Sequence, residues 1–150
     1  MSIRQAGPED EDEVCSLWEQ LARYYGNKGS SAVFKKSFRY ALENSDRVLV
    51  FVLLSEDMVV GTGSLHQGHY STWADQMYGH IEDLIVAENY RGQGLGRKLI
   101  LHMVEIARDL GLCRLELNTL KSNQAAHRLY EKIGFSSDSV VYEMPLLKEN

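Results

Sequence analysis

The segment RGQGLGR, residues 91–97, combines three glycines with two arginines just before a strongly helical pattern. Glycine costs conformational entropy on folding and adds nothing to a core, so such a cluster needs a reason in the backbone. The first N–H groups of a helix lack acceptors within the helix and lie at the positive end of its dipole, which favours phosphate binding. We therefore predict that this backbone accepts a phosphate-bearing ligand, with local positive charge from Arg91, Arg97 and Lys98.

Two common phosphate-binding motifs do not match this loop. A Walker P-loop requires Gly-x-x-x-x-Gly-Lys-Ser/Thr, but Arg97 stands where the second glycine would follow Gly92. A Rossmann fingerprint requires Gly-x-Gly-x-x-Gly in the first βαβ unit, whereas Gly92, Gly94 and Gly96 are spaced two and two and follow antiparallel strands. A turn that only redirects the chain is the plain alternative, but it seldom needs three glycines with flanking arginines.

The elements that must position this loop have the predicted order β-α-α-β-β-β-α-β-α-β, a mixed α/β domain. Periodicity and turn residues predict strands over 2–6, 48–54, 58–65, 77–87, 113–120 and 139–147, helices from Pro8 to Tyr25 and over 32–43, 94–111 and 123–134, and a polar loop over 66–76. The first strands are expected to be antiparallel. A β-α-β crossover around residues 80–120 adds parallel character.

The whole chain has the length and composition of one globular domain, residues 1–150. Its net charge of −5 argues against a nucleic-acid partner and is compatible with a cationic or amine substrate. No apolar run approaches the roughly 20 residues that span a bilayer, and the first residues do not resemble a signal peptide, so we expect a cytoplasmic protein without a membrane partner. Cys15 and Cys113 are expected to be reduced, and Cys113 to be a small buried hydrophobe rather than a nucleophile.

Three segments together carry a resemblance to a known family. Arg-x-x-Gly-x-Gly, met by Arg91, Gly94 and Gly96, resembles the acetyl-CoA signature of the GNAT superfamily of N-acetyltransferases. HIEDLIV is similar to the fourth strand of that family, and NQAAHRLYEKIGF to its Asn-x-x-Ala-x-x-x-Tyr-Glu-x-x-Gly-Phe segment. The resemblance implies an α/β (α+β) fold with a central mixed, mostly antiparallel twisted sheet, flanking helices, and fourth and fifth strands that splay apart.

The same resemblance implies how acetyl-CoA, the co-substrate, is held. In that family the pyrophosphate lies on backbone amides of the glycine loop, and the pantetheine arm adds to the fourth strand like a further strand. A backbone amide near Ile85 would stabilise the developing oxyanion. The residues that would bind acetyl-CoA are Leu84, Ile85, Val86, Arg91, Gly92, Gln93, Gly94, Leu95, Gly96, Arg97 and Asn123.

Acetyl transfer from a thioester requires an uncharged amine. An amine with a pKa of about 10.4 must give up its proton at a cost of about 4.6 kcal/mol at pH 7, so a base is useful, and an acid must protonate the departing thiolate. By its place in the family motif, Tyr130 is the predicted acid, with a core-edge aromatic as its plain alternative. Glu82 is the predicted base, because related polyamine and sugar acetyltransferases carry Glu there. It could equally pair with a surface cation.

Three histidines lie near Glu82 in the predicted elements. His80 shares a strand face with Glu82 by the period of two, and His66 and His69 are close in sequence. Their spacing matches no standard zinc pattern and the GNAT mechanism requires no metal, so we expect no metal site. Roles as polar groups of the substrate pocket or as alternative bases are the more plausible ones.

The expected acceptor is the primary amine of a small molecule. YGHIEDLIVAENYRGQGLG is similar to glucosamine-6-phosphate N-acetyltransferases, but Asn118 stands where that family tends to have an Asp that contacts the sugar. AAHRLYEKIGF and SLHQGHYSTW resemble aminoalkylphosphonate and other small-amine acetyltransferases. Protein or peptide N-acetylation, and a non-catalytic module that binds acyl-CoA, remain alternatives. By analogy with relatives, the chain could form a homodimer.

Overall fold

A computed structural model describes residues 1–27 and 29–147 of the chain. These residues form two compact units, one over Met1–Asn118 and a second that begins at Thr119. The secondary structure consists of β1 (Ser2–Gln5), α1 (Glu11–Tyr24), α2 (Ser31–Glu43), β2 (Val48–Ser55), β3 (Met58–Ser71), β4 (Gln76–Val86), α3 (Leu95–Asp109), β5 (Leu115–Leu117) and, in the second unit, α4 (Gln124–Ile133), with short 3-10 turns at Pro8–Asp10 and Glu88–Tyr90. Among the described residues no helix is both long and apolar enough to cross a bilayer.

The first unit is built on one sheet with the strand order β1-β2-β3-β4-β5. Neighbouring strands are antiparallel from β1 to β4, whereas β4 and β5 are parallel and α3 makes the crossover between them. This confirms the predicted mixed, mostly antiparallel sheet and the β-α-β crossover. That residues 1–150 act as one N-acetyltransferase domain stays a prediction.

Helices cover both faces of the sheet at β2. Val50 and Val52 pack with buried residues of α1 and α2. Leu53 lies in a separate buried cluster with Leu95 of α3, and the Phe51 ring contacts the ring of His102 of α3. Because both faces are covered, the strand is an almost continuous apolar run instead of an alternating one.

One glycine of β3 owes its place to this packing. A Cβ added at Gly63 would lie 3.0 Å from Met103 Cε and 3.1 Å from Leu84 Cδ1. Both distances are tighter than ordinary van der Waals contact, so a larger residue would require the ends of the Met103 and Leu84 side chains to shift. The N-terminus of α3, the helix that contains Met103, carries the glycine loop, for which the sequence predicts a phosphate-bearing ligand.

The predicted polar loop over residues 66–76 is wrong. β3 continues to Ser71 and β4 begins at Gln76, so a long hairpin replaces the loop, with cross-strand pairs such as His66 with His80 and His69 with Tyr78. The outer end of an antiparallel hairpin can be polar on both faces because solvent reaches it, and a polar composition therefore does not exclude a strand. The first polar residues of this stretch belong to the pocket described below.

In the second unit the predicted helix over residues 123–134 is confirmed. Asn123 is the N-cap residue of α4, and its side-chain oxygen accepts a hydrogen bond from the backbone N–H of Ala126 at 3.2 Å. Such a cap satisfies one of the free N–H groups at the start of a helix. The helix ends at Gly134, whose φ of 120° suits glycine.

The predicted last strand over residues 139–147 is wrong. The structure has no strand there, and the large apolar side chains are more than half exposed, namely Val140, Val141, Tyr142, Met144, Leu146 and Leu147. An apolar, β-branched run becomes a strand only when a neighbouring strand edge pairs with it. Within the described residues this segment has no such backbone partner.

Candidate functional site

The parallel pairing of β4 with β5 is short. It joins Gly79–Ile81 to Leu115–Leu117 and ends there, which leaves residues 82–86 of β4 without a backbone partner on that side among the residues the structure describes. The predicted splay of the fourth and fifth strands is thereby confirmed. A free strand edge presents a row of N–H and C=O groups to which an extended ligand can bind like an added strand. Leu84, Ile85 and Val86, predicted to bind acetyl-CoA, form this free edge.

The glycine loop follows β4 after a single 3-10 turn. Gly92 and Gly94 both have φ of +75°, a left-handed conformation that strains any other residue. A Cβ built at either position would meet nothing within 4 Å, and one at Gly96 would meet only Val86 Cγ2 at 3.9 Å. The backbone of the loop therefore faces open space in which a phosphate group could approach it.

The start of α3 leaves backbone donors available. Gly94 is the N-cap residue and no side chain caps the helix. The first N–H group of α3 with a backbone acceptor is that of Lys98, which donates to Gly94 O at 3.1 Å. Within the described chain, the N–H groups of residues 92–97 have no acceptor. Free N–H groups at the positive end of the helix dipole form an anion site.

The side chains of the loop divide into two kinds. Arg91 Nε donates to the carbonyl oxygen of Val86 at 2.9 Å and so ties the loop to the end of β4. Leu95 is buried in the core beneath the loop, which leaves only its backbone for a ligand. Gln93 and Arg97 are exposed, and neither side chain makes a hydrogen bond or ion pair in the part of the chain that the structure describes.

β4 contains a bulge directly before the free edge. Ser64 pairs with Glu82 and Thr62 pairs with Ile85. Between these two pairs β3 has one residue and β4 has two, so β4 contains one extra residue. Asp83 takes up the extra residue with a φ of +53°, which is unusual outside glycine. The bulge brings two consecutive carboxylates to one place, whereas a regular strand would point them to opposite faces.

Glu82 and Asp83 form a cluster with His66. One ligand atom from each of the three side chains lies within 4.8 Å of the others. His66 Nε2 is 3.9 Å from Glu82 Oε2, which is too far for a hydrogen bond and leaves room for a small group between them. The cluster could accept an amine and its proton, and its donor atoms would also suit a metal ion.

The pKa of the Asp83 carboxyl is raised. The main cause is loss of hydration, because neighbouring protein atoms crowd the carboxyl, and the negative charge of Glu82 raises the pKa further, while His66 lowers it. The side chain still reaches water at the mouth of a pocket, so solvent moderates the shift. A carboxyl with a raised pKa is a stronger base, and such groups are frequent at functional sites.

This carboxyl opens into a pocket of about 800 Å³, within the usual range for small-molecule sites. Its walls come from α1, α2, β2, β3 and β4, and the lining residues are Trp18, Lys36, Ser37, Arg39, Tyr40, Ala41, Glu43, Arg47, Val48, Val50, Ser64, His66, Gln67, Gly68, His69 and Asp83. Two buried side-chain atoms in the described chain have no hydrogen-bond partner, Trp18 Nε1 and His66 Nε2, and both belong to this lining. Buried polar groups are normally bonded, so the pair marks a place where a ligand could complete the bonding.

The three histidines near Glu82 are neighbours, with the His69 and His80 ring centroids 4.8 Å apart, but each has a different partner. His80, predicted to share a face with Glu82, has its Nε2 3.0 Å from Glu116 Oε2 on β5. The ring of His69 stacks on Tyr78 with centroids 5.1 Å apart. His66, which the sequence could not single out, is the one that joins the carboxylates.

Asp83 is the functional candidate that the sequence analysis missed. A regular strand with one buried face alternates polar and apolar residues, and IEDLIV breaks this alternation with two consecutive acids. That break was the available signal for a bulge. Glu82, predicted as the base, lies in the same cluster.

Tyr130 and Asn123 belong to the second unit. The Tyr130 ring packs edge-on against Phe135, with centroids 6.2 Å apart, and its carbonyl oxygen accepts the N–H groups of Gly134 and Phe135 at the end of α4. Asn123 uses its side-chain oxygen to cap the same helix. The roles of both residues toward acetyl-CoA stay predictions.

The two cysteines differ in surroundings. Cys15 is buried, and loss of hydration raises the pKa of its thiol, which makes it a poor nucleophile. Cys113 is exposed and precedes β5, so the prediction of a buried residue at the start of a strand is wrong. The turn after α3 leaves this position outside the short strand.

Comparisons with known proteins agree with this geometry. A sequence model described as the acetyltransferase (GNAT) family matches residues 14–135. The chain is 42% identical over 141 residues to a thialysine N-epsilon-acetyltransferase of Bos taurus, with 88% of this chain and 82% of that protein covered. It is 39% identical over 77 residues to a glucosamine 6-phosphate N-acetyltransferase of Trypanosoma brucei brucei, with 51% of this chain and 50% of that protein covered.

A solved structure has the same fold. It is described as a probable acetyltransferase and matches with a TM-score of 0.89 at 25% identity, covering 99% of this chain and all of the other. The resemblance predicted from three short segments is therefore confirmed over most of the sequence. This chain belongs to the acetyltransferase (GNAT) family.

Proposed function

We propose that this acetyltransferase moves an acetyl group from acetyl-CoA to the primary amine of a small molecule. The observation that carries the proposal is the free stretch of β4, which has the open glycine loop at one end and the carboxylate cluster at the other. A donor bound along the edge and an acceptor in the pocket would meet at this stretch. Relatives that acetylate thialysine and glucosamine 6-phosphate support a small amine as acceptor.

The residues of the loop fit the pyrophosphate of acetyl-CoA. Free N–H groups of residues 92–97 at the start of α3 would bind phosphate oxygens, and Arg97 would add positive charge. Leu84, Ile85 and Val86 would hold the pantetheine arm through their backbone. Gly92, Gln93, Gly94, Leu95 and Gly96 would contribute main-chain donors, and Arg91 would keep the loop in place through Val86.

The pocket residues would prepare the acceptor. Bound acetyl-CoA supplies an activated thioester. Glu82 and Asp83 would take the proton from the entering ammonium group, and the N–H near Ile85 would donate to the carbonyl oxygen as negative charge develops there. Tyr130 would donate its hydroxyl proton to the departing thiolate, and Asn123 would contact the pantetheine side. We infer that the His66 cluster acts in this proton transfer and holds no metal.

The proposal is tested by thiol release from acetyl-CoA in the presence of a panel of small primary amines. We expect acetylated product with at least one amine, and a higher melting temperature with CoA but not with NAD, because a ligand that binds only the folded state stabilises it. Binding of acetyl-CoA without transfer to any amine would favour a non-catalytic module. Transfer to peptides alone would favour protein acetylation.

Tyr130→Phe is expected to lower kcat while leaving affinity for acetyl-CoA within about twofold. Loss of a general acid typically slows a reaction by about 10²- to 10⁴-fold. A thiolate whose thiol has a pKa of about 8.5 leaves fairly well unaided, so we expect a smaller loss of kcat, about 10- to 100-fold. The measurement is steady-state kinetics with calorimetry for binding. Arg128→Lys, a change elsewhere on the same helix, is the control. Wild-type kcat in the Phe variant would remove Tyr130 from the acid role.

We also propose a cytoplasmic protein that forms a homodimer. The exposed apolar side chains at residues 139–147 support self-association, because a second copy could cover them. Sedimentation analysis of the purified chain tests the dimer. A monomer at micromolar concentration would contradict it.

A further inference from the structure

The pocket carries charges of both signs at separate places. Asp83 lies in its wall beside Glu82 and provides negative charge. Three cationic side chains also line it, but Arg39 is already neutralised by two hydrogen bonds to Glu11 at 2.7 and 2.8 Å. The charges left to a ligand are those of Lys36 and Arg47.

Lys36 and Arg47 have no partner of opposite charge. Neither side chain makes an ion pair or a hydrogen bond within the described parts of the chain, and both are exposed. The adjacent Lys35 differs, since its Nζ lies 3.4 Å from Asp12 Oδ1. Glu43 is a carboxylate of the same pocket and moderates the positive charge without pairing with it.

The register of the strands separates the two kinds of charge. The carbonyl oxygen of Arg47 accepts a hydrogen bond from the N–H of Gln67 on β3. Glu82 of β4 pairs with Ser64, which also lies on β3. Gln67 lies three positions beyond Ser64, roughly 10 Å along an extended strand, and Arg47 and Glu82 flank opposite edges of β3, which adds about 10 Å across the sheet. Arginine can shorten this gap because its side chain is long. Trp18, Ala41, Val48 and Val50 add apolar lining that suits methylene groups.

We infer that the acceptor carries an anionic group, a carboxylate or a phosphate or phosphonate, joined by several bonds to the amine that is acetylated. Asp83 and Glu82 hold the amine, and Arg47 with Lys36 binds the anion. This inference rests on the proposed function and narrows its substrate class. Guanidinium groups bind carboxylates and phosphates through two parallel hydrogen bonds. We therefore expect Arg47 to contribute more to anion binding than Lys36.

The test compares acceptors that differ only in the anionic group. The carboxylate pair is 5-aminopentanoate with pentylamine, and the phosphonate pair is 2-aminoethylphosphonate with ethylamine. We expect the anionic member of at least one pair to have the higher kcat/KM, by about tenfold or more. The pair that shows the larger ratio identifies which anion the site prefers.

Variants then assign the preference to the pocket. Arg47→Gln should lower kcat/KM about tenfold for the anionic acceptor, mainly through KM, and change it less than about twofold for the neutral partner. Arg47→Lys should restore part of the loss, because it keeps the charge without the bidentate geometry. Arg47→Glu should reverse the preference. Lys35→Gln, which changes a lysine outside the pocket lining, is the control and should behave as wild type.

The outcomes separate this inference from the proposed function. Transfer to another amine of the panel but to no member of either pair would overturn this inference alone, whereas transfer to no amine at all would overturn the proposed function and this inference with it. Equal kcat/KM within both pairs, or equal losses for both members in Arg47→Gln, would overturn the anion site while the acetyltransferase assignment stands. Because Arg47 is exposed and its side chain makes no hydrogen bond or ion pair within the described residues, these variants should remain folded.

Discussion

Binding of acetyl-CoA is expected to disappear when Gly96 is replaced by tryptophan. Gly96 is the second residue of α3, and its missing Cβ points to open space next to Val86, where the pyrophosphate is proposed to lie. An indole at this position would fill the space proposed for the pyrophosphate without displacing protein atoms. Calorimetry should show affinity reduced at least about 100-fold, a loss of about 2.7 kcal/mol, and circular dichroism should show a folded protein.

Two other substitutions separate a blocked site from a damaged fold. Gly96→Ala should bind acetyl-CoA nearly as well as wild type and can stabilise α3 by up to about 1 kcal/mol, because alanine favours helix more than glycine does. Gly94→Ala should destabilise the protein, since its φ of +75° strains any side chain. Normal affinity in Gly96→Trp would show that the loop does not hold the pyrophosphate.

Removing the carboxylates beside the free edge is expected to have the second large effect. Glu82→Gln and Asp83→Asn keep size and polarity, and asparagine tolerates the left-handed backbone at residue 83. If the pair supplies the base, kcat/KM should fall by about 10²- to 10⁴-fold in the more damaging variant. In the double variant kcat/KM should fall by less than the product of the two single-variant factors, because the two carboxylates act as a unit.

The pH profile assigns the roles. A base works when ionised, so kcat/KM should rise with pH through the pKa of Asp83, which lies above its ordinary value of 3.8. Glu82→Gln removes a neighbouring negative charge and should move this limb to lower pH, although loss of hydration, the main cause of the raised pKa, remains. A limb that does not move would exclude coupling between the two carboxylates.

As pH rises through the pKa of Asp83, the stability of the fold should decrease while activity increases. Because the folded-state pKa of Asp83 is raised, the folded protein binds more protons than the unfolded chain between the two pKa values, and stability falls as pH rises through this window. Asp83→Asn removes that cost, so its melting temperature should exceed that of wild type at pH 7 and approach it below about pH 4.

Dialysis against EDTA tests whether the cluster of His66, Glu82 and Asp83 holds a metal ion. Activity lost on dialysis would indicate a metal there.

The sequence alone determined the parts of this protein that rest on local chemistry. Three glycines at the start of a strong helical stripe indicated an anion site, and local runs of apolar and β-branched residues placed β1, β2 and β4 to within one residue at each end. These features depend on residues a few positions apart, so they are readable without the fold. The resemblance of the three segments to the family rests on the same short spacings.

Only the tertiary structure decided how distant residues meet. The bulge that joins Asp83 to Glu82 and His66 depends on the register between β3 and β4, and the hairpin at residues 66–76 depends on pairing that composition did not reveal. The apolar run at residues 139–147 has strand-like residues and forms no strand, because a strand requires an edge to pair with. Local preference sets what a segment can form, whereas pairing and burial between segments set what it does form.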